Sequence, residues 1–318
     1  MSRGGPPRGP VALVATVALL AGCAGSGDGV ERVRIPAGAS MRAVAESLAA
    51  HGLGGPTGAI GLRVAARLQG LDRKLRAGVY DIPRALGPSD VVALLARGES
   101  ERVQVTVPEG LMAPEVAAIA ARALGVPADS FLAAVGDSLE GYLYPETYSL
   151  DAGASARDLV AAMRAQFARA WRPGWDARLD TLGLSRAQLV ALASIVEGEA
   201  ASDAERATIA GVYWNRLRHG MPLQADPTVQ YAILQATGAR KPRLLYSDYR
   251  IPSPYNTYLR AGLPPGPVNS PGARSLEAAL YPASHPYHFF VLGLDGRHVF
   301  TRDYREHLRA VAAIRRGR

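Results

Sequence analysis

Hydrophobic and polar positions change rhythm several times along the chain, and each change marks an element. Val33 and Ile35 alternate with charged neighbours and predict a strand over 31–35. Helical spacing follows, predicting helices near 40–50 and 57–69. Leu75 to Ile82 alternates again as a strand, and a helix near 88–97 has Ser89 and Asp90 available at its start. The opening then recurs. Val105-Thr106-Val107-Pro108-Glu109-Gly110 repeats Val33-Arg34-Ile35-Pro36-Ala37-Gly38 at a spacing of 72 residues. Each copy reads as a short strand, a Pro–Gly turn and an amphipathic helix, the helices carried by Val44 and Leu48 and by Val116 and Ile119. Two copies are too few for a solenoid and read as the openings of successive modules, 30–103 and 104–318.

The second module is mostly helical to about 235, and three helix starts stand out. Ser185-Arg186-Ala187-Gln188 and Ser202-Asp203-Ala204-Glu205 are capping boxes. Asp226-Pro227 places Asp at the N-cap and Pro in the first turn. Beyond 250 the chain is rich in Pro, Gly and Tyr. Tyr287–Leu292 and His298–Thr301 then read as a hairpin around Asp295-Gly296, closed by a helix near 303–315. The fold class is α+β. The strand–helix–helix–strand order of 30–103 is that of a LysM-like carbohydrate-binding unit, an order shared by many small domains.

At the N-terminus Arg3 and Arg8 precede the apolar run 11–22, the pattern of an export signal. The run is short for a membrane-spanning helix. It ends Leu20-Ala21-Gly22-Cys23, which looks like a bacterial lipobox with Cys23 as the lipidated residue; a short uncleaved anchor is the alternative. Residues 1–29 are thus an anchor and tether, and the rest is expected on the extracytoplasmic side, held at the cell membrane.

Composition narrows the chemistry. The 318 residues are 48% hydrophobic and 20% charged, which supports folded domains and argues against disorder. One Cys excludes an intramolecular disulfide and a Cys-rich zinc site. Net charge is +8, falling to +6 once residues 1–22, with two arginines, are removed. No Lys/Arg block interleaved with aromatics accompanies it, so nucleic acid is not an expected partner. An anionic wall or membrane surface suits that charge, as does a merely solvated face. There is no Gly-x-Ser-x-Gly elbow, Walker loop or dinucleotide fingerprint. His285, His288 and His298 fall close in sequence, but without a His-Glu-x-x-His helix neither a metal nor another cofactor is expected.

The carboxylates are more informative. Ile195-Val196-Glu197-Gly198-Glu199 ends the first capped helix. Acids two positions apart on a helix point about 200° from each other. One is therefore expected to work and the other to be structural, unless both are surface residues. Glu199, in the last turn or the junction beyond, meets the negative end of the helix dipole, which raises a carboxyl pKa as a general acid requires. Gln224 lies just outside a helix start, whereas Asp226 is accounted for by capping. Tyr255 and Asn256, in the Pro-stiffened string Ser253–Tyr258, offer an aromatic face and an amide suited to a sugar. Glu140 opens a similar string, Glu140-Gly141-Tyr142-Leu143-Tyr144-Pro145-Glu146-Thr147-Tyr148.

These strings, with Asn215-Arg216-Leu217, Leu223–Val229, Gly262–Gly266 and Pro271-Gly272-Ala273, resemble the endolytic murein transglycosylases, the MltG or YceG-like family, over about 30–316. The resemblance implies an N-terminal membrane anchor, a LysM-like subdomain and a catalytic domain. It also implies a lyase that cuts nascent peptidoglycan strands internally between MurNAc and GlcNAc, leaving 1,6-anhydro-MurNAc ends, with peptidoglycan synthases as expected partners. The family's catalytic glutamate, second acid of its Ile-Val-Glu-x-Glu string, maps to Glu199; Glu140, Gln224, Asp226, Tyr255 and Asn256 become substrate-binding candidates. Two departures stand out: Gly198, where a longer polar residue is common, and the lipobox-like end where a transmembrane helix is usual. The residues also leave room for a hydrolytic glycosidase using Glu199 with Glu140 or Asp226, and for a non-catalytic wall-binding lipoprotein.

Overall fold

In the computed structural model the described residues are 29–317, apart from 37, 99 and 137. The expected export signal, with Cys23, lies outside them. The first unit runs β1 (Val30–Ile35), α1 (Met41–Ala50), α2 (Gly58–Leu68), β2 (Gly78–Pro83) and α3 (Pro88–Arg97). β1 and β2 pair antiparallel with Val33 opposite Tyr80. Val33, Leu48, Leu62, Tyr80, Ile82 and Leu95 close a core beneath them. Strand, two helices, strand is the order the periodicity predicts.

The repeated opening is a structural repeat as well. β3 (Arg102–Val107) has the same alternation of exposed and buried positions as β1 and leads into α4 (Ala113–Leu124). After α5 (Ala128–Val135) comes β4 (Glu146–Asp151), antiparallel to β3 with Val105 opposite Tyr148. The helical reading of this stretch missed β4. Its partner lies about 40 residues upstream in sequence, where local periodicity carries no information. α6 (Ala156–Ala170) covers this pair, and Val105, Val116, Phe131, Leu143, Leu159 and Met163 form a second core.

The third core is built around α8 (Arg186–Glu199), preceded by α7 (Trp175–Leu182). The Ser185 capping box forms as expected: Gln188 N–H donates to Ser185 Oγ at 3.2 Å, and Ser185 N–H donates to Gln188 Oε1 at 2.8 Å. Residues 189–196 are buried on every side of α8, so it is a central helix without a wet face. α9 (Arg206–Arg218), α10 (Asp226–Thr237) and α11 (Ala273–Leu280) pack around it. β5 (Phe289–Leu292) and β6 (His298–Thr301) form the C-terminal hairpin, and α12 (Tyr304–Arg316) closes the described chain.

Two expected helix starts are corrected. Residues 203–205 form a single 3-10 turn, and Ser202 makes no side-chain cap. Glu205, the would-be capping partner, instead binds His298. At α10 the N-cap is Ala225 and Asp226 is the first helical residue. Its carboxylate is engaged by tyrosines from a distant loop.

Candidate active site

The capping box fixes where α8 begins, and the helix's fourteen residues carry Glu197 and Glu199 to its end. The two acids part company there, as their angular separation requires. Glu197, with its side chain 6% exposed, pairs with Arg206 at 2.9 Å and accepts the Gly272 N–H at 3.1 Å. Arg206 also meets the half-exposed Asp203 at 3.0 Å, so Glu197 belongs to an ion cluster, buried at the Glu197–Arg206 pair, that locks α8 to α9 and α11. Gly198, between the acids, packs against the first turn of α10. A Cβ there would stand 2.5 Å from Pro227 Cγ, so only glycine fits this approach.

Glu199 faces the other way, into a hollow of about 350 Å³. Its Oε1 accepts the Tyr213 hydroxyl at 3.2 Å and the Asp226 N–H at 3.1 Å. Among the described residues nothing bonds its Oε2. Burial pushes its pKa up to about 7, and the neighbouring Asp226 charge adds to this. The bonds from Tyr213 and the Asp226 amide, and the charge of Arg216, pull the other way. The elevation expected from the helix dipole is present, but its main cause is burial.

Gln224 and Asp226 line the same hollow. Gln224 holds a left-handed φ of 49°, uncommon for a residue with a side chain. Hydrogen bonds from Gln224 N–H to Thr257 O (3.1 Å) and from Ala225 N–H to Thr257 Oγ1 (3.0 Å) pin this turn. Asp226 accepts the hydroxyls of Tyr258 at 2.7 Å and Tyr249 at 3.4 Å. A second hollow of about 680 Å³, walled by Gly198, Gln230, Arg240, Lys241 and Tyr249, adjoins at Asp226. Together the two hollows offer room for more than one sugar ring.

The other candidates are placed elsewhere. Asn256 is completely buried. Its amide donates to the carbonyls of Tyr249 and Ile251, and its Oδ1 accepts the Tyr258 N–H. It therefore shapes the loop that presents Tyr258. Glu140 and Tyr255 line a separate cavity of about 680 Å³ with Tyr231 and Gln235. Glu140 accepts the Ala113 N–H at 3.2 Å, and burial pushes its pKa up to about 7. Tyr255 packs on Tyr231, ring centroids 4.7 Å apart. The three histidines disperse: His285 bonds Thr208 O, His288 bonds Arg302 O, and His298 binds Glu205. Among the described residues no three potential metal ligands converge.

Sequence reasoning missed Tyr213, Tyr258, Arg216 and His298, all of which line the Glu199 hollow. Tyr258 and Arg216 stood inside motifs already singled out. Tyr213, in the apolar stripe of its helix with Ile209 and Val212, carried no sign distinguishing it from core.

Residues 33–313 match the model of the YceG-like family. The chain belongs to that family. The Bacillus subtilis protein named endolytic murein transglycosylase is 34% identical over 263 residues, covering 74% of this chain and 72% of its own length. A Streptococcus pneumoniae protein of the same name is 29% identical over 282 residues, and the match spans half of that longer relative. The crystal structure of a YceG-like protein from Listeria monocytogenes superposes with a TM-score of 0.58 at 27% identity, covering 89% of this chain and 99% of that one. Among YceG-like proteins, then, this one presents its Ile-Val-Glu-x-Glu string with one acid locked in an ion cluster and the other facing a hollow.

Proposed function

We propose that this chain is an endolytic murein transglycosylase, cutting peptidoglycan strands between MurNAc and GlcNAc to leave 1,6-anhydro-MurNAc ends. The observation that carries the reading is Glu199: a carboxyl with a pKa of about 7, one oxygen tethered and the other open, facing a sugar-sized hollow. Protonated Glu199 gives its proton to the glycosidic oxygen as the bond to the muramic anomeric carbon breaks. The muramic C6 hydroxyl attacks that carbon, and the Glu199 carboxylate takes the hydroxyl proton, which restores the acid. Because the nucleophile belongs to the sugar, effective molarity replaces a bound water. Proton transfer of this kind contributes roughly 10²–10⁴-fold. A hydrolase would need a second carboxyl acting as base or nucleophile. Asp226 is the other acid of the hollow, and tyrosine hydroxyls engage both its oxygens.

In this reading Gln224 and Asp226 hold the sugars beside Glu199, and Asn256 acts through the loop it shapes. Glu140 and Tyr255 contact more distant parts of the glycan. Residues 30–103 act as a LysM-like wall-binding unit, and 104–318 as the catalytic unit. Cys23 or the apolar run before it holds the chain at the cell membrane, where synthases of nascent strands would be neighbours. Glu199→Gln keeps an acceptor for Tyr213 and Asp226, so it should abolish strand cleavage while the melting temperature stays within a few degrees. Near-normal cleavage by that variant would overturn the assignment.

A further inference from the structure

The Glu199 hollow has a second titratable wall that the mechanism above does not use. His298 opens β6 and lines the hollow. Its backbone N–H donates to Glu205 Oε1 at 2.8 Å, and its ring Nδ1 stands 2.9 Å from Glu205 Oε2. The two side chains are 6% and 13% exposed. Burial would raise the Glu205 pKa, but the bonds from His298 hold it below the ordinary glutamate value, so it is a carboxylate. A carboxylate facing Nδ1 fixes the ring plane and draws the proton to that nitrogen. Nε2 is then the ring atom left free to hydrogen-bond a ligand.

Among the described residues nothing bonds Nε2. A histidine serving only to tie β6 to the turn before α9 would need no nitrogen open to a cleft. Phe290 meets the His298 ring edge-on at 5.2 Å and the Tyr213 ring at 5.9 Å. Tyr213 in turn bonds Glu199. One continuous wall therefore runs from Glu205 through His298, Phe290 and Tyr213 to the acid. Glu199 and His298 line the same hollow of about 350 Å³, so a sugar held against Glu199 lies in the space that the His298 ring faces.

We propose that His298, oriented by Glu205, is a substrate-binding residue whose Nε2 hydrogen-bonds a hydroxyl of the glycan beside the scissile bond. This rests on the reading of the hollow as a glycan site. Its role is positioning; Glu199 keeps both proton transfers.

The test is calorimetric binding of a purified short glycan strand to the full chain carrying Glu199→Gln, with and without a second substitution. Adding His298→Ala should weaken binding about tenfold, the worth of one well-placed hydrogen bond. Adding His298→Gln, whose amide returns a hydrogen-bonding group near the Nε2 position, should recover most of it. Glu205→Gln, which loosens the ring but keeps the hollow, should weaken binding about threefold. In the otherwise native chain His298→Ala should raise KM by a similar factor with kcat within about threefold. Unchanged affinity in both the His298→Ala and Glu205→Gln chains would overturn the proposal, as would a large loss of kcat at constant KM. If the native chain cleaves no glycan while its binding still depends on His298, the transglycosylase reading fails and this one stands.

Discussion

Glu199 Oε1 lies 3.1 Å from the backbone nitrogen of Asp226, so the last residue of α8 meets the first residue of α10. The C-terminal end of α8 disfavours a carboxylate and the N-terminal end of α10 favours one. With these opposed, burial decides, and the pKa rises to about 7. Two pH effects follow. In the proposed reaction cleavage requires the protonated acid, so the rate should fall as pH rises through about 7. Stability should move in the same direction. A carboxyl whose folded pKa exceeds its unfolded value stabilises the fold fully below the unfolded pKa, and that contribution is lost as pH rises through the folded pKa. Glu140, also near 7, adds to the effect. The melting temperature should decline between about pH 4.5 and 7, and less steeply in Glu199→Gln or Glu140→Gln. An equal slope in all three proteins would contradict the raised values.

The Tyr213 hydroxyl favours the charged form of Glu199 by donating to it. Tyr213→Phe removes that bond and keeps the ring against Phe290. The alkaline limb of the pH–rate profile should move to higher pH, and kcat should fall about tenfold as the carboxyl loses its tether. A limb that stays put would show that Tyr213 does not contact the working acid.

Arg206 is 11% exposed and neutralises the 6%-exposed Glu197, with Asp203 and Glu109 alongside. Arg206→Met leaves Glu197 buried without its cation and should cost about 3–5 kcal/mol in denaturant unfolding. The double variant Arg206→Met with Glu197→Gln should recover part of that loss. A single variant within about 0.5 kcal/mol of the parent would mean the cluster is wetter than its geometry indicates.

Gly198 lets Pro227 approach closely enough for the Asp226 amide to reach Glu199. Gly198→Ala must push the first turn of α10 away, at a cost of about 1–3 kcal/mol. Cleavage should suffer more than stability, because the displaced amide is the one bonded to the acid. Activity and stability falling in proportion would argue for simple unfolding.

What could be read from the sequence was local. The Ser185 cap, the helix it starts and the divergence of Glu197 from Glu199 all rest on contacts within a few positions. The misread starts failed because distant residues outbid local ones. Tyr258 and Tyr249 take the Asp226 carboxylate, and His298, 93 residues away, takes Glu205. β4 needed β3 to be recognised, and Asn256 looked like a sugar donor until the carbonyls of Tyr249 and Ile251 claimed its amide. Motif strings also merged places that the fold separates: Glu140 and Tyr255 share a cavity apart from Glu199.

The most direct measurement is mass spectrometry of glycan strands digested by the full chain beside its Glu199→Gln variant. The expected products end in anhydro sugars, about 18 Da lighter than hydrolytic ends, and are absent with the variant. Ordinary reducing ends, or anhydro ends made equally well without the Glu199 carboxyl, would contradict a lytic reaction run by this residue.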